Sequence, residues 1–233
     1  MATIHNPTLV LANLAATYLG ARAYKAPNPP PAVHDEADTI LRVPAWARSP
    51  GSLSANVMFF SLAQTYLVAR GASPTASLNF FPHLENVHPR FLTWNRYSAT
   101  CLGAICVSGL ARIAAYRALG RNFTFQLAKP TGLKTDGIYK YVQHPSYLPL
   151  IVVSVANMAY WASPDGVVGA WLSKGLVEKL NPWKGWALAA WTAMWCGMIA
   201  VRVRDEEGML KRIFGEEWEA WHKKTARFVP FIF

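Results

Sequence analysis

YLPLIVVSVANMAYWASP, residues Tyr147–Pro164, runs from end to end without a charged side chain. A helix packed in water keeps a polar stripe, and this stretch has none wide enough to serve. It is slightly short of the ~20 residues that cross a bilayer comfortably, so its neighbours decide how it is read. Moving outward, four more apolar stretches appear: Gly185–Val201 after it, and Tyr97–Ala111 (continuing past Arg112 to Tyr116), Leu53–Ala69 and Pro7–Ala21 before it. All five are rich in alanine, glycine and serine, as expected where membrane helices pack closely on one another. The fold expected is all-α, a multi-pass transmembrane helical bundle of about five spans, followed by a C-terminal helical region outside the membrane.

Composition points the same way. Of 233 residues only 15% are charged, against about a quarter in soluble domains. The net charge of +10 would suit nucleic acid only if basic and aromatic residues shared a polar surface. Here they flank apolar stretches, so a lipid bilayer is the expected partner and no nucleic acid is expected. Loops that stay in the cytosol carry most lysine and arginine. The connections following the first and third spans and the tail from Arg202 hold most of these residues, which puts the 117–146 loop and the tail together on the cytosolic side. The N-terminus lacks a charged n-region and a cleavage motif, so a retained first span is expected.

Little else in the loops points to chemistry. Cys101, Cys106 and Cys196 lie in apolar stretches without CxxC spacing and read as buried thiols. His83 and His88 lack a third ligand at useful spacing, so no metal site is expected. The Pro-rich stretch at 26–33 and the segment Ser73–Arg96, with prolines at 74, 82 and 89, read as irregular connections.

Two segments differ. GIYKYVQHPSYLP, Gly137–Pro149, joins the basic loop to the fourth span. Gly137 after Thr135-Asp136 suits a turn, and the residue before Pro145 avoids the α region, so His144 should end any preceding helix. This puts irregular backbone and polar-aromatic side chains at the membrane surface, either as an interfacial belt of Tyr139, Tyr141 and Tyr147 or as the wall of a cavity. RVRDEEGMLKRIFGEEWEAWHKK, Arg202–Lys224, leaves the fifth span with helical spacing in Val203, Leu210, Phe214, Trp218 and Trp221. Arg202, Glu206 and Leu210 fall on one face, which allows either a plain i,i+4 ion pair or a site. Gly215 should break that helix.

Read together, the two segments resemble the isoprenylcysteine carboxyl methyltransferase family. The likeness rests on Gly137 and Tyr139, His144-Pro145-Ser146-Tyr147, Arg202, Glu206-Glu207, Leu210, Phe214-Gly215 and Trp218, with Leu119–Thr124 as entry to the region, and it covers roughly residues 112–233. The chain departs from the family pattern at Gln143, where arginine is usual, and at Pro149, where glycine is common. Its loop between Phe123 and Gly137 is also shorter, and the Pro-Phe-Ile ending lacks the preceding Thr-Gly.

The resemblance implies S-adenosylmethionine as methyl donor and the carboxylate of a prenylcysteine, at the C-terminus of a prenylated protein, as acceptor. It makes Arg202 the catalytic and substrate-binding residue, because a guanidinium fork can grip a carboxylate. Glu206, Tyr139, His144, Pro145, Ser146 and Tyr147 become cofactor-binding residues, with Ala128, Thr131, Gly132, Leu133 and Lys134 contributing from the loop. Residues 1–111 then form N-terminal transmembrane spans, and 112–233 a methyltransferase catalytic region with two further spans. The implied location is the endoplasmic reticulum membrane, with the catalytic side in the cytosol. Alternatives are a phospholipid methyltransferase, a sterol reductase-like NADPH enzyme, whose Arg-Asp-Glu helix Arg204-Asp205-Glu206 can mimic, or an inactive membrane homologue.

Overall fold

A computed structural model describes residues 6–25, 27–29, 38–39, 50–71, 80–123 and 127–230. Most of the Pro-rich stretch at 26–33, the start of the Ser73–Arg96 connection, Arg42, Arg48, Thr124 and the final Phe231-Ile232 lie outside the described residues.

Each of the five apolar stretches is the body of a helix. They are α1 (Pro7–Tyr24), α2 (Pro50–Arg70), α3 (Arg96–Leu119), α4 (Tyr147–Trp161) and, after the short α5 (Lys174–Leu180), the 31-residue α6 (Lys184–Phe214). The structure is helical throughout, with no strand among the described residues. α6 runs far past the apolar stretch that announces it and carries Arg202–Leu210 as a rigid extension of the span. Gly215 breaks it at φ 52°, a left-handed conformation that a Cβ would disfavour. The last helix, α7 (Glu216–His222), then turns away.

By length and composition, two helical runs, Pro89–Asn122 and Lys174–Phe214, are apolar enough to cross a membrane, and Tyr147–Trp161 is a shorter apolar helix. Their outer faces carry large exposed apolar side chains, among them Val107, Leu110, Trp183 and Trp186. A surface of that kind suits lipid better than water. Inside, the helices approach closely. A Cβ on Gly109 would lie 3.0 Å from the Leu19 side chain and 3.1 Å from its carbonyl oxygen, so α3 meets α1 backbone to backbone only because that position is bare. The main core joins Leu9, Ala16 and Tyr24 of α1 to Leu102 and Ile105 of α3, Val153, Ala156 and Tyr160 of α4, and Trp195, Ile199 and Val203 of α6.

Arg112, which interrupts the third apolar stretch, is 1% exposed. Its Nε donates to the Ala23 carbonyl at 2.7 Å and one Nη to the Ser146 carbonyl at 2.8 Å, while Tyr116 donates its hydroxyl to the same Ala23 oxygen at 2.5 Å. A buried guanidinium is costly unless its donors are matched. Here it ties the end of α1 and the turn before α4 to α3.

Candidate active site

Gly137, at φ 59°, opens a single 3-10 turn, Gly137–Lys140. The chain then runs irregularly through His144-Pro145 until α4 begins at Tyr147, where proline's effect on the preceding residue places the boundary. The loop is not an interfacial belt. Of its three tyrosines Tyr139 is buried, Tyr147 half-buried and Tyr141 exposed, and Gln143, His144 and Ser146 are all buried. Burial first, and the Glu206 carboxylate second, push the Tyr139 hydroxyl well above its ordinary pKa.

The tail closes over this loop. Val142 and Ala226 form a parallel bridge, Gln143 N–H donates to Ala226 O at 2.8 Å and His144 N–H to Arg227 O at 2.9 Å. The Gln143 side chain donates to the carbonyls of His222 (3.2 Å) and Thr225 (2.8 Å) and to Thr225 Oγ1 (2.9 Å). Its Oε1 lies 2.8 Å from His222 Nδ1. Burial holds the His222 pKa below the usual histidine value, so a neutral imidazole suits this contact. Trp221 adds an indole N–H to Tyr139 O at 2.9 Å. Gln143, in the place where the resembling family has arginine, is therefore the latch between the loop and the tail.

Where loop and α6 meet, side chains from both segments touch. Tyr147 donates its hydroxyl to Glu206 Oε2 at 2.6 Å. The His144 ring sits between the two glutamates, 3.8 Å from Glu206 and 3.4 Å from Glu207. Arg227 grips Glu207 through both carboxylate oxygens, at 2.9 and 3.1 Å. The rings of Tyr147 and Phe228 stand 5.5 and 6.1 Å from that of His144. One turn back, Arg202 is buried and turned toward Asp38, whose two oxygens both lie 3.2 Å from one Nη. The i,i+4 relation thus leaves Arg202 and Glu206 on one face, where both engage Tyr147 and Arg202 also holds Asp38.

The loop residues Ala128, Thr131, Gly132, Leu133 and Lys134 do not join this cluster through any direct bond. Thr131 donates to Asn122 Oδ1 from its amide and hydroxyl, Lys134 pairs with Asp136, Gly132 is exposed, and Ala128 and Leu133 are half-buried. Their link to the site runs through Leu127, whose N–H donates to Asp38 at 2.8 Å. Asp38 was invisible to sequence reasoning because an isolated loop carboxylate has no periodicity, although an acidic run (DEAD, 35–38) on an otherwise basic side is a signal of sorts. His83 and His88 serve their own loop, His83 beside Glu85 at 3.0 Å and His88 accepting from the Arg90 amide at 3.1 Å.

Residues 101–173 match the isoprenylcysteine carboxyl methyltransferase (ICMT) family. The matched part takes in α3 from Cys101, the His144–Tyr147 turn and α4, and stops before Arg202. Curated relatives extend the likeness. Protein-S-isoprenylcysteine O-methyltransferase of Schizosaccharomyces pombe is 27% identical over 140 residues, 58% of this chain and 50% of the relative. The protein of that name from Dictyostelium discoideum is 27% identical over 159 residues, 66% and 54% of the two chains. That from Mus musculus is 27% identical over 191 residues, 79% and 58%. The chain spans about half the length of these relatives. The solved structure of the eukaryotic intramembrane Ras methyltransferase ICMT is 16% identical, with alignment over 97% of this chain and 74% of that one and a TM-score of 0.41.

Proposed function

We propose that the chain is a membrane methyltransferase that esterifies the α-carboxylate of a C-terminal prenylcysteine, with S-adenosylmethionine as donor. The observation that carries this reading is the 2.6 Å contact between Tyr147 and Glu206, 59 residues apart, which brings the two segments into one site beside the buried Arg202.

The donor set suits that cofactor. Glu206, with about a quarter of its side chain exposed, offers carboxylate oxygens to an amino group or ribose hydroxyls, and the rings of His144, Tyr147 and Phe228 suit a sulfonium. Tyr139, Pro145 and Ser146 shape the rest of the pocket, and the loop from Ala128 to Lys134 is assigned to its rim. When bound, S-adenosylmethionine supplies an electrophilic methyl group, whose carbon gains a bond to the acceptor oxygen as its bond to sulfur breaks. The acceptor needs no general base, because an α-carboxylate with pKa near 3.5 is already ionised at neutral pH. Arg202 orients it and, within a nearly dry environment, keeps water from the oxygen that reacts. Alignment of this kind supplies on the order of several kcal/mol of the barrier reduction.

A groove of about 640 Å³ between α4 and α6, walled by Leu148, Ile151, Ile199, Ala200 and Val203, gives a prenyl chain a path from the lipid. In this proposal the bundle crosses the endoplasmic reticulum membrane about five times and the C-terminal helical region is cytosolic. Residues 1–111 form the N-terminal spans, and 112–233 the catalytic region with two further spans. The names of the relatives favour methyl transfer over sterol reduction, and the buried cation at Arg202 favours a carboxylate over a lipid amine. The test is methyl transfer from S-adenosylmethionine to N-acetyl-farnesylcysteine in membranes. A base-labile methyl ester is expected, and its absence with correctly inserted protein would sink the proposal.

A further inference from the structure

The inference rests on the carboxylate-methylating reading above and concerns how the acceptor reaches Arg202. Its guanidinium already has a carboxylate. Asp38 is buried, with no side-chain exposure, and places both oxygens 3.2 Å from Arg202 Nη1. One of them also accepts the Leu127 N–H. The adjacent Thr39 is fastened to the same helix, its amide donating to Asp205 Oδ2 at 3.1 Å and its hydroxyl to the same oxygen.

We infer that Asp38 is a specificity-determining residue, an internal carboxylate that holds Arg202 as an acceptor carboxylate would, so that an acceptor binds productively by exchanging one carboxylate for the other. The physical case is one of charge balance. Arg202 is already stripped of water, and a guanidinium in that state is stable only while matched. An arriving α-carboxylate offers the same two oxygens to the same donor, so the guanidinium stays matched through the exchange, and the released Asp38 carboxylate keeps the Leu127 N–H. A neutral ester or a cationic amine has nothing to exchange and leaves Asp38 in place. Selection then acts on the head group, before the prenyl chain contributes. The methyl ester product, having lost its charge, no longer competes with Asp38, which favours its release.

The test is Asp38→Asn in the full-length chain in membranes, with N-acetyl-farnesylcysteine as acceptor. Asparagine keeps an oxygen for the Leu127 amide but removes the competing charge. The KM for the acceptor is expected to fall about tenfold, equivalent to losing one charge-assisted contact from the competitor, with S-adenosylmethionine affinity unchanged. Thr39→Val, which loosens the neighbouring anchor on Asp205 without touching Arg202, is expected to move KM in the same direction by a smaller factor, and serves if Asp38→Asn does not fold. A KM that stays the same or rises in both variants overturns the inference and leaves Asp38 a structural partner of Arg202. If the wild type itself makes no methyl ester, the underlying reading falls instead, so the two failures are distinguishable.

Discussion

Asp165 and Glu206 are acidic residues at opposite ends of the same bundle, and their surroundings differ in kind. Asp165 is closed on all sides. Arg90 donates to it at 2.7 Å, Lys184 at 2.8 Å, Ser163 through its hydroxyl, and its own carbonyl receives the His88 amide. The segments around it are sealed by Phe81, Val87, Val167 and Ala170, and Gly169 passes so near the Pro164 carbonyl that no Cβ would fit. Although burial pushes the Asp165 carboxyl up, its bonds to Lys184, Ser163 and Arg90 hold it below the ordinary value. At the other end, Glu206 keeps part of its surface open, shares His144 with Glu207 and receives one short hydrogen bond. The first end has all its polar capacity used internally. The second holds back acceptors and rings that a ligand can use, and maintains them with a latch at Gln143 and an ion pair at Arg202. The difference separates a closed end from an open one.

This contrast can be broken by mutation. The largest effect is expected at Arg202→Lys, which keeps the charge but loses the fork: turnover of N-acetyl-farnesylcysteine should fall about 100-fold, on the scale of losing an oriented electrostatic contact. A variant with wild-type turnover would remove Arg202 from the chemistry. Glu206→Gln should weaken S-adenosylmethionine binding about tenfold, roughly one charge-assisted hydrogen bond, as read by equilibrium binding of labelled cofactor. Unchanged affinity would mean that Glu206 merely anchors Tyr147.

Asp165→Asn sharpens the comparison from the other side. It should lower the thermal midpoint, at a cost of about 1–3 kcal/mol for a partly buried pair losing its charge, while leaving cofactor affinity and acceptor KM unaltered. Because the native carboxyl lies below the ordinary aspartate value of 3.8, its contribution is fully present above that pH and disappears as pH falls through the lower native value. The asparagine variant should therefore show a shallower loss of stability on acidification. The smallest effect belongs to Gln143→Ala, which leaves His222 and Thr225 without their partner. Proteolytic nicking of the tail beyond Trp221 should accelerate several-fold, following the greater population of the opened tail, with only a modest rise in KM.

Much of this was legible in the sequence, and the exceptions have physical causes. The five helices follow from uncharged stretches, and the breaks at Gly137, Pro145 and Gly215 from local backbone preference, because both signals are carried by neighbouring residues. The meeting of His144–Tyr147 with Arg202–Glu207 came from resemblance and not from periodicity, since no local rule tells two distant segments to touch. Gln143 read as a departure from a pattern, whereas the folded chain gives it four polar contacts to the tail. Asp38 left only the faint trace of an acidic run at 35–38. Its importance comes from lying opposite a residue 164 positions away, a relation that only the tertiary fold creates.

Arg112 has a consequence for the order in which the protein assembles. A lone helix bearing a guanidinium near its middle enters a bilayer at a penalty of roughly 2.5–3.5 kcal/mol. In the finished bundle that group is matched by a carbonyl at the end of α1, synthesised some 90 residues earlier, and by another at Ser146, which emerges later. The third span is therefore poorly settled when it first leaves the ribosome and depends on α1 as a waiting partner. It is completed only when the His-Pro-Ser turn arrives, so the segment proposed to shape the cofactor pocket also completes the packing of the helix beneath it.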